Sequence, residues 1–203
     1  MLTPGLTRRA ALLLPVMATA LLSACASEPP QDFAPLRYSY LPPIRLDVAT
    51  IEIQQRFVPS GVRPDVTQLA PVSPSQALQA MAEDRLQAFG VSGRAVFSIM
   101  DASLVRHGDV IDGVMAVRLE LYGMDGQRVG FAEARVTRQH SGVDHLRATL
   151  YDMVKAMMDS MNVEFEYQVR RVLRSFVTTA TSSETPVEAA PLPPPGTEIA
   201  PIP

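Results

Sequence analysis

Asp125-Gly126 lies between two runs of alternating apolar residues, Val110 to Tyr122 and Val129 to Arg138, and marks where two strands turn back on each other. Taken as a two-residue loop, it pairs Met124 with Gln127. Counting outward, Arg118 then opposes Glu133, Leu119 opposes Ala132, Val117 opposes Ala134 and Met115 opposes Val136. One turn thus yields an opposite-charge pair on one face and a ladder of apolar pairs on the other. A chain with this hairpin at its centre is committed to an antiparallel sheet with one buried face.

The preceding strand, about Arg94 to Val105, joins through a turn that leaves two registers open. A two-residue loop at Gly108-Asp109 sets Phe97 and Ile99 beside Glu120 and Arg118. A three-residue loop, His107-Gly108-Asp109, sets them beside Leu119 and Val117, and burial favours the latter. Upstream, Ile44 to Gln55 reads as a strand whose apolar face shifts from Ile44, Leu46 and Val48 to Ile51 and Ile53. That parity change predicts a bulge near Ala49-Thr50.

Residues 56 to 72, with Pro59, Gly61, Pro64 and Pro71, form a long loop. Ser73 then caps a helix with Pro74 at its first position, and Gly90 ends it. Leu78, Met81, Ala82, Leu86 and Phe89 share one side, with Arg85 at the edge. A second helix, Asp144 to Val177, carries the stripe Leu146, Leu150, Met153, Met157, Met161, Phe165, Val169, Val172 and Phe176. Glu166 and Arg170 form an i,i+4 pair on another face.

A helix of that length, about 50 Å, is more than twice a typical strand. Its half past Asn162 is therefore expected to project beyond the sheet or bend. There Phe165, Tyr167, Val169, Val172, Leu173 and Phe176 would need a cover, supplied by the upstream aromatics, a partner or a second copy of the chain. The order β-α-β-β-β-α defines an α+β fold over residues 44–177. It is a four-stranded, mainly antiparallel sheet with two helices on one face, the C-terminal one long.

Both flanks are of different character. Residues 1–24 hold Arg8 and Arg9, then an apolar stretch from Ala10 to Leu22 too short to span a bilayer, then small residues before Cys25. This reads as a processing signal. Residues 25–43 form a tether in which Pro29, Pro30, Pro35, Pro42 and Pro43 favour extension, with a reach of some 50 Å at about 3.1 Å per residue. Phe33, Tyr38 and Tyr40 point to its second half lying along the domain. Residues 178–203 hold seven of the 18 prolines, three acids and no base, and read as a disordered acidic tail. Within it Pro191 to Pro195 alternatively fits a polyproline II ligand.

Little in the sequence speaks for catalysis. His107, His140 and His145 fall in predicted turns or a helix start, and His140 with Asp144 and His145 matches no recognised metal spacing. There is one cysteine and no glycine-rich phosphate loop, so no catalytic, metal or cofactor-binding residue is assigned and no enzyme is expected. The methionines at 153, 157, 158 and 161, with Met81 and Met100 as neighbours, read as core, an adaptable binding surface being the alternative. Gly130, Ala132 and Ala134 opposite Leu119 to Leu121 allow either close helix approach or an empty groove. Removing residues 1–24 takes two of the 18 basic residues and none of the 21 acidic ones, leaving a net charge of −5. That balance argues against nucleic acid as a partner.

Leu22-Ser23-Ala24-Cys25 resembles the lipobox of bacterial lipoproteins. The resemblance implies that Cys25 is lipidated, that residues 1–24 are removed and that the chain is anchored to a membrane. With Ala26 rather than aspartate after the cysteine, it implies the periplasmic face of the outer membrane. The lipobox, the strand Leu46-Asp47-Val48-Ala49-Thr50-Ile51-Glu52-Ile53, the helix and the meander before the final helix together resemble the ABC-type transport auxiliary lipoproteins. That likeness implies a non-catalytic adaptor or accessory subunit in envelope transport or assembly, with an envelope protein, such as an ABC transport component, as partner. The rival readings are a lipid-binding carrier and a structural or regulatory lipoprotein contacting cell-wall machinery. Self-association through the C-terminal helix is a further expectation.

Overall fold

A computed structural model describes residues 32–177. The signal segment with Cys25, the first part of the tether and the proline-rich tail lie outside the described residues. In chain order the elements are β1 (Ile44–Leu46), β2 (Thr50–Gln55), α1 (Pro74–Arg85), β3 (Leu86–Ala88), β4 (Arg94–His107), β5 (Val110–Tyr122), β6 (Arg128–Ser141) and α2 (Leu146–Val172). The main sheet runs β2-β4-β5-β6, with β2 parallel to β4 and the other pairs antiparallel. The fold is α+β with a four-stranded mixed sheet, two helices and a long C-terminal helix, as the sequence indicates.

Every predicted pair of the central hairpin is present: Arg118 with Glu133, Leu119 with Ala132, Val117 with Ala134 and Met115 with Val136. The loop that produces them is not the two-residue one. Gly126 N–H donates to Gly123 O at 3.0 Å and Gly123 N–H donates to Gln127 O at 2.9 Å, so three residues form the tip. Gly126 sits at φ 74°, where a glycine is the unstrained choice. The longer loop shifts the pairing by one residue, and Val129, extra on β6, shifts it back between Tyr122 and Leu121.

At the other hairpin both alternatives hold, each over half the strand. His107 pairs with Val110 around a two-residue turn, and that register runs to Asp101 opposite Ala116. Met100 is then an extra residue, after which Ile99 opposes Val117 and Phe97 opposes Leu119. The bulge exchanges the parity of β4. Ala95, Phe97 and Ile99 are buried before it, and Ala102 and Leu104 after it.

Ile44 to Gln55 is two strands rather than one bulged strand. β1 pairs in parallel with β3 in a separate ribbon, and the chain crosses to the main sheet through Asp47 to Ala49. The crossing is held by Asp47 N–H to Phe176 O at 2.8 Å and Ala49 N–H to Ser92 O at 3.1 Å. α1 ends at Arg85, short of Gly90, because Leu86 to Ala88 extend to pair with β1. Phe89 therefore leaves the predicted apolar side and is exposed. Ser73 occupies the N-cap position without a side-chain cap bond.

α2 is shorter than predicted, 27 residues, and is followed by a 3-10 turn at Arg174–Phe176. It does not outrun its sheet. β4 and β6 are 14 residues each, about 46 Å long, against about 40 Å for the helix. Phe165, Val169 and Leu173 are buried in the same core as the methionines, while Val172, assigned to the stripe, is exposed because the helix ends there. Met100 lies outside the core.

The question left open by Gly130, Ala132 and Ala134 is answered by α2, which packs on β6. Both alanines are buried, and a Cβ on Gly130 would come within 2.8 Å of Leu173 Cδ2. The small residues admit a helix, not an empty groove. α2 runs antiparallel to β6, so one end of the domain carries the Gly108-Asp109 turn and the start of α2. The other carries the Gly123–Gln127 loop and the 3-10 turn. These are called the Gly108 end and the Gly126 end below.

Candidate functional site

Three features outside the core could carry function: the strap formed by residues 33–43, a cleft at the Gly108 end, and the sheet face away from the helices.

The strap runs along the helices. Phe33 packs on Tyr151 of α2 with ring centroids 5.1 Å apart, Arg147 stands 5.8 Å from the Phe33 ring, and the Tyr151 hydroxyl donates to Ala34 O at 3.1 Å. Five residues further, buried Asp84 near the end of α1 accepts from Tyr38 N–H at 2.7 Å and from Arg37 Nε at 3.0 Å, and Arg37 is its ion-pair partner. Burial would raise the Asp84 carboxyl, but the hydrogen bonds from Arg37 and Tyr38 outweigh it and hold the group below its ordinary value. The Tyr38 ring is buried, and burial pushes its phenol up.

The strap ends on Arg85, which the sequence places at the edge of a helix and the structure buries completely (1 % exposed). Its guanidinium donates to Pro42 O, to Asn162 O and to Asn162 Oδ1, each at 3.2 Å, and pairs with Glu166. Glu166 in turn holds Arg170 at 2.8 Å, the predicted i,i+4 pair. A charged residue four positions after Met81 on an apolar stripe was the only sequence sign of this hub. Such a side chain must be paired if the stripe is buried.

At the Gly108 end a cleft of about 470 Å³ is lined by Arg63, Pro64, Asp65, Val66, Leu69, Arg106, Gly108 and Leu146. The loop that forms it is pinned to β4 by Val66 N–H to Leu104 O and Arg106 N–H to Pro64 O, both 2.9 Å. Asp65 organises the loop. Its carboxylate accepts from Ser60 N–H at 2.7 Å and Thr67 N–H at 2.8 Å, and also from the Ser60 hydroxyl and Gly61 N–H. Burial opposes ionisation, yet these bonds win and lower its pKa to about 2. Sequence reading found a loop here but no site, because proline and glycine spacing does not say which loop residues converge.

The sheet's other face is polar. Arg118 binds Glu133 at 2.5 Å, Arg128 binds Glu120 at 2.8 Å, Arg94 lies 3.6 Å from Glu52, and Gln139 donates to Asp112 at 2.9 Å. Beneath them Val96 and Ser98 are buried between register neighbours Glu52, Gln54, Arg118 and Glu120, whose long chains lie over them. Arg135 and Thr137 of β6 are exposed on this side.

The histidines do not converge. His107 ends β4, His140 is a strand residue of β6 opposite Ile111 rather than a turn residue, and His145 is the N-cap of α2. Among the described residues no group of three or more His, Cys, Asp or Glu side chains could hold a metal ion. No described helix is long and apolar enough to cross a membrane.

No family model matches the chain, and no curated protein matches it. Solved structures with some similarity include a Xanthomonas campestris protein of the family DUF330, at TM-score 0.37 and 8% identity over 67% of this chain and 92% of that one. A candidate lipoprotein from Caulobacter crescentus reaches TM-score 0.34 and 16% identity over 60% and 85%. A minor lipoprotein from Acinetobacter baumannii reaches TM-score 0.29 and 9% identity over 66% and 98%. Likenesses this loose transfer neither an activity nor a partner.

Proposed function

We propose that this protein is a lipid-anchored, non-catalytic adaptor or accessory subunit of the cell envelope, held to the membrane through Cys25. It would act in transport or assembly by presenting its polar sheet face to an envelope protein, of which an ABC transport component is one candidate. The anchor rests on the basic, apolar and small-residue pattern that ends at Cys25. The observation that carries the adaptor role is the division of labour between the two faces of the sheet. One is filled by both helices and closed at the far end of the tether by Arg85. The other presents rows of charged and amide side chains with no element laid over them among the described residues. The carrier reading loses its sequence support, since the small residues of β6 are occupied by α2.

Two measurements test this. Intact-mass and lipid-labelling analysis of the full chain should show a lipid-modified N-terminus at Cys25 that Cys25→Ser abolishes; an unmodified chain refutes the anchor. Photo-crosslinkers placed at Arg135 and Thr137 should capture a discrete envelope protein, and ones at Val163 on the exposed side of α2 should not. Equal capture from both positions, or none, refutes the adaptor face while leaving the anchor standing.

A further inference from the structure

The strap and the cleft meet at one end of the domain. Phe33 is held against Tyr151 and Arg147 in the first turns of α2, and Leu146 from the same turn lines the cleft with Arg63 and Arg106. From there the strap runs toward Pro42 and β1, away from the Gly108 end. Only residues 26–32 separate Cys25 from Phe33, a span of about 28 Å when fully extended. Docking of the strap thus shortens the free tether to little more than half of what its sequence length suggests. A lipid on Cys25 holds the Gly108 end within that distance of the bilayer, and the Gly126 end is a further strand length of about 46 Å away.

The Gly108 end has the chemistry of a surface that meets lipid headgroups. Arg63 is exposed and makes no ion pair among the described residues; Arg106 spends only its Nε, on Gly108 O at 2.8 Å. Of the nearby acids, Asp65 and Asp109 accept backbone N–H groups of the loops themselves, and Asp144 stays exposed. Val62 and Leu69, 70 % and 50 % exposed, flank the arginines; the Gly126 end also exposes apolar residues, Met124 and Val91 among them, so it is the short tether that selects the Gly108 end. Arginine beside exposed aliphatic residues suits the boundary between phosphate and acyl chain, with the guanidinium on the phosphodiester and the apolar tips below it.

We infer that the Gly108 end is a membrane-contacting surface whose Arg63–Arg106 cleft takes the phosphodiester headgroup of a bilayer lipid. This rests on the lipid anchor proposed above. The surface fixes the orientation of the domain, turning the Gly126 end and Val177 outward.

The chain has no tryptophan, so single tryptophans report position cleanly. The lipidated full-length protein is placed on vesicles of phosphatidylethanolamine and phosphatidylglycerol that carry a nitroxide on the lipid headgroup. Val62→Trp and Leu69→Trp should be quenched and Met124→Trp, on the Gly123–Gln127 loop, should not. Adding Arg63→Ser and Arg106→Ser should weaken the Val62→Trp signal by about fivefold in occupancy for each arginine lost. Equal quenching at Met124→Trp, or no quenching anywhere while the protein floats with the vesicles, overturns the inference and leaves the anchor intact. If the protein does not float, and Cys25→Ser behaves as the unsubstituted chain does, the anchor fails and this surface with it.

Discussion

Arg85 of α1 donates to both oxygens that Asn162 of α2 offers, the backbone carbonyl and the side-chain amide, each at 3.2 Å. Asn162 completes the arrangement by donating its own amide to Met158 O at 2.9 Å. The two helices are therefore joined by a polar contact inside an apolar layer, where an unmatched group costs most. Arg85→Ala would leave Asn162 Oδ1 and Pro42 O without this donor and Glu166 with Arg170 alone. A loss of about 3–5 kcal/mol is expected. Glu166→Gln, at a partly exposed partner, should cost about 1–2 kcal/mol. Urea denaturation of the two variants checks both, and equal small losses would show that the pair is peripheral.

Asp84 holds the strap from a buried position, through Tyr38 N–H and Arg37. Asp84→Ala should release residues 33–41 while leaving the sheet intact. Arg37 is itself a trypsin site with an exposed side chain, so cleavage after it reads the opening directly. About tenfold faster cleavage is expected. An unchanged rate would mean that Phe33 and the buried Tyr38 ring suffice.

Much of this was legible in the sequence, for reasons specific to each element. The β5–β6 pairing could be read because side-chain alternation and a glycine turn constrain the same register twice. Its loop could not, because a one-residue loop change and a one-residue bulge cancel along the strand. The strap is legible from aromatics in a proline-rich segment, of which Phe33 and Tyr38 pack on the domain while Tyr40 stays exposed; its clasp, Asp84, looks like any solvated helix residue. The cleft was hidden for a different reason. Its residues come from four separate elements, and only tertiary structure brings Arg63, Arg106 and Leu146 together.

Asp65 gives the protein an acid-sensitive loop. Its pKa is lowered to about 2 from an ordinary 3.8, so the stability it contributes is complete above about pH 4 and is lost as pH falls toward 2. Glu166 and Asp84 are shifted in the same direction and lose their contributions on the same side. Asp65→Asn should reduce stability at neutral pH by about 1–2 kcal/mol, after allowance for solvent screening, and flatten the acid limb. Thermal melts between pH 2 and neutrality check the shape. An acid limb as steep in the variant as in the parent would remove Asp65 from this role.

Gly90 and Gly113 look equivalent in the sequence and should behave differently. A Cβ at Gly90 would collide with Asp47 Oδ1 and would stand 2.6 Å from Val48 N and 2.7 Å from Asp47 C, atoms of the backbone crossing between β1 and β2. At Gly113 it would meet Met157 Sδ at 2.6 Å and Met153 Cε at 2.7 Å, which are far ends of flexible side chains. Gly90→Ala is expected to cost about 3 kcal/mol and Gly113→Ala about 1 kcal/mol or less. Denaturation midpoints of the two variants decide it, and a reversed order would mean that the crossing can shift and the methionines cannot.

Met100 bulges out of β4, which lets a tight turn and a buried strand coexist. It is 38 % exposed and unpaired with β5, so its side chain contributes little, and Met100→Thr should change stability by less than about 0.5 kcal/mol. Deleting it joins Ile99 to Asp101, so that Ile99–Val117 and Asp101–Ala116 become consecutive pairs and one register runs the whole strand with the Gly108-Asp109 turn unchanged. Phe97 and Ile99, both fully buried, then stay inward opposite Leu119 and Val117, and only the bulge and its local twist are lost. The deletion is therefore expected to keep cooperative unfolding, with a loss of no more than about 1–2 kcal/mol. A deletion variant that no longer melts cooperatively would show that the twist of the bulge, not the register alone, holds this half of the sheet.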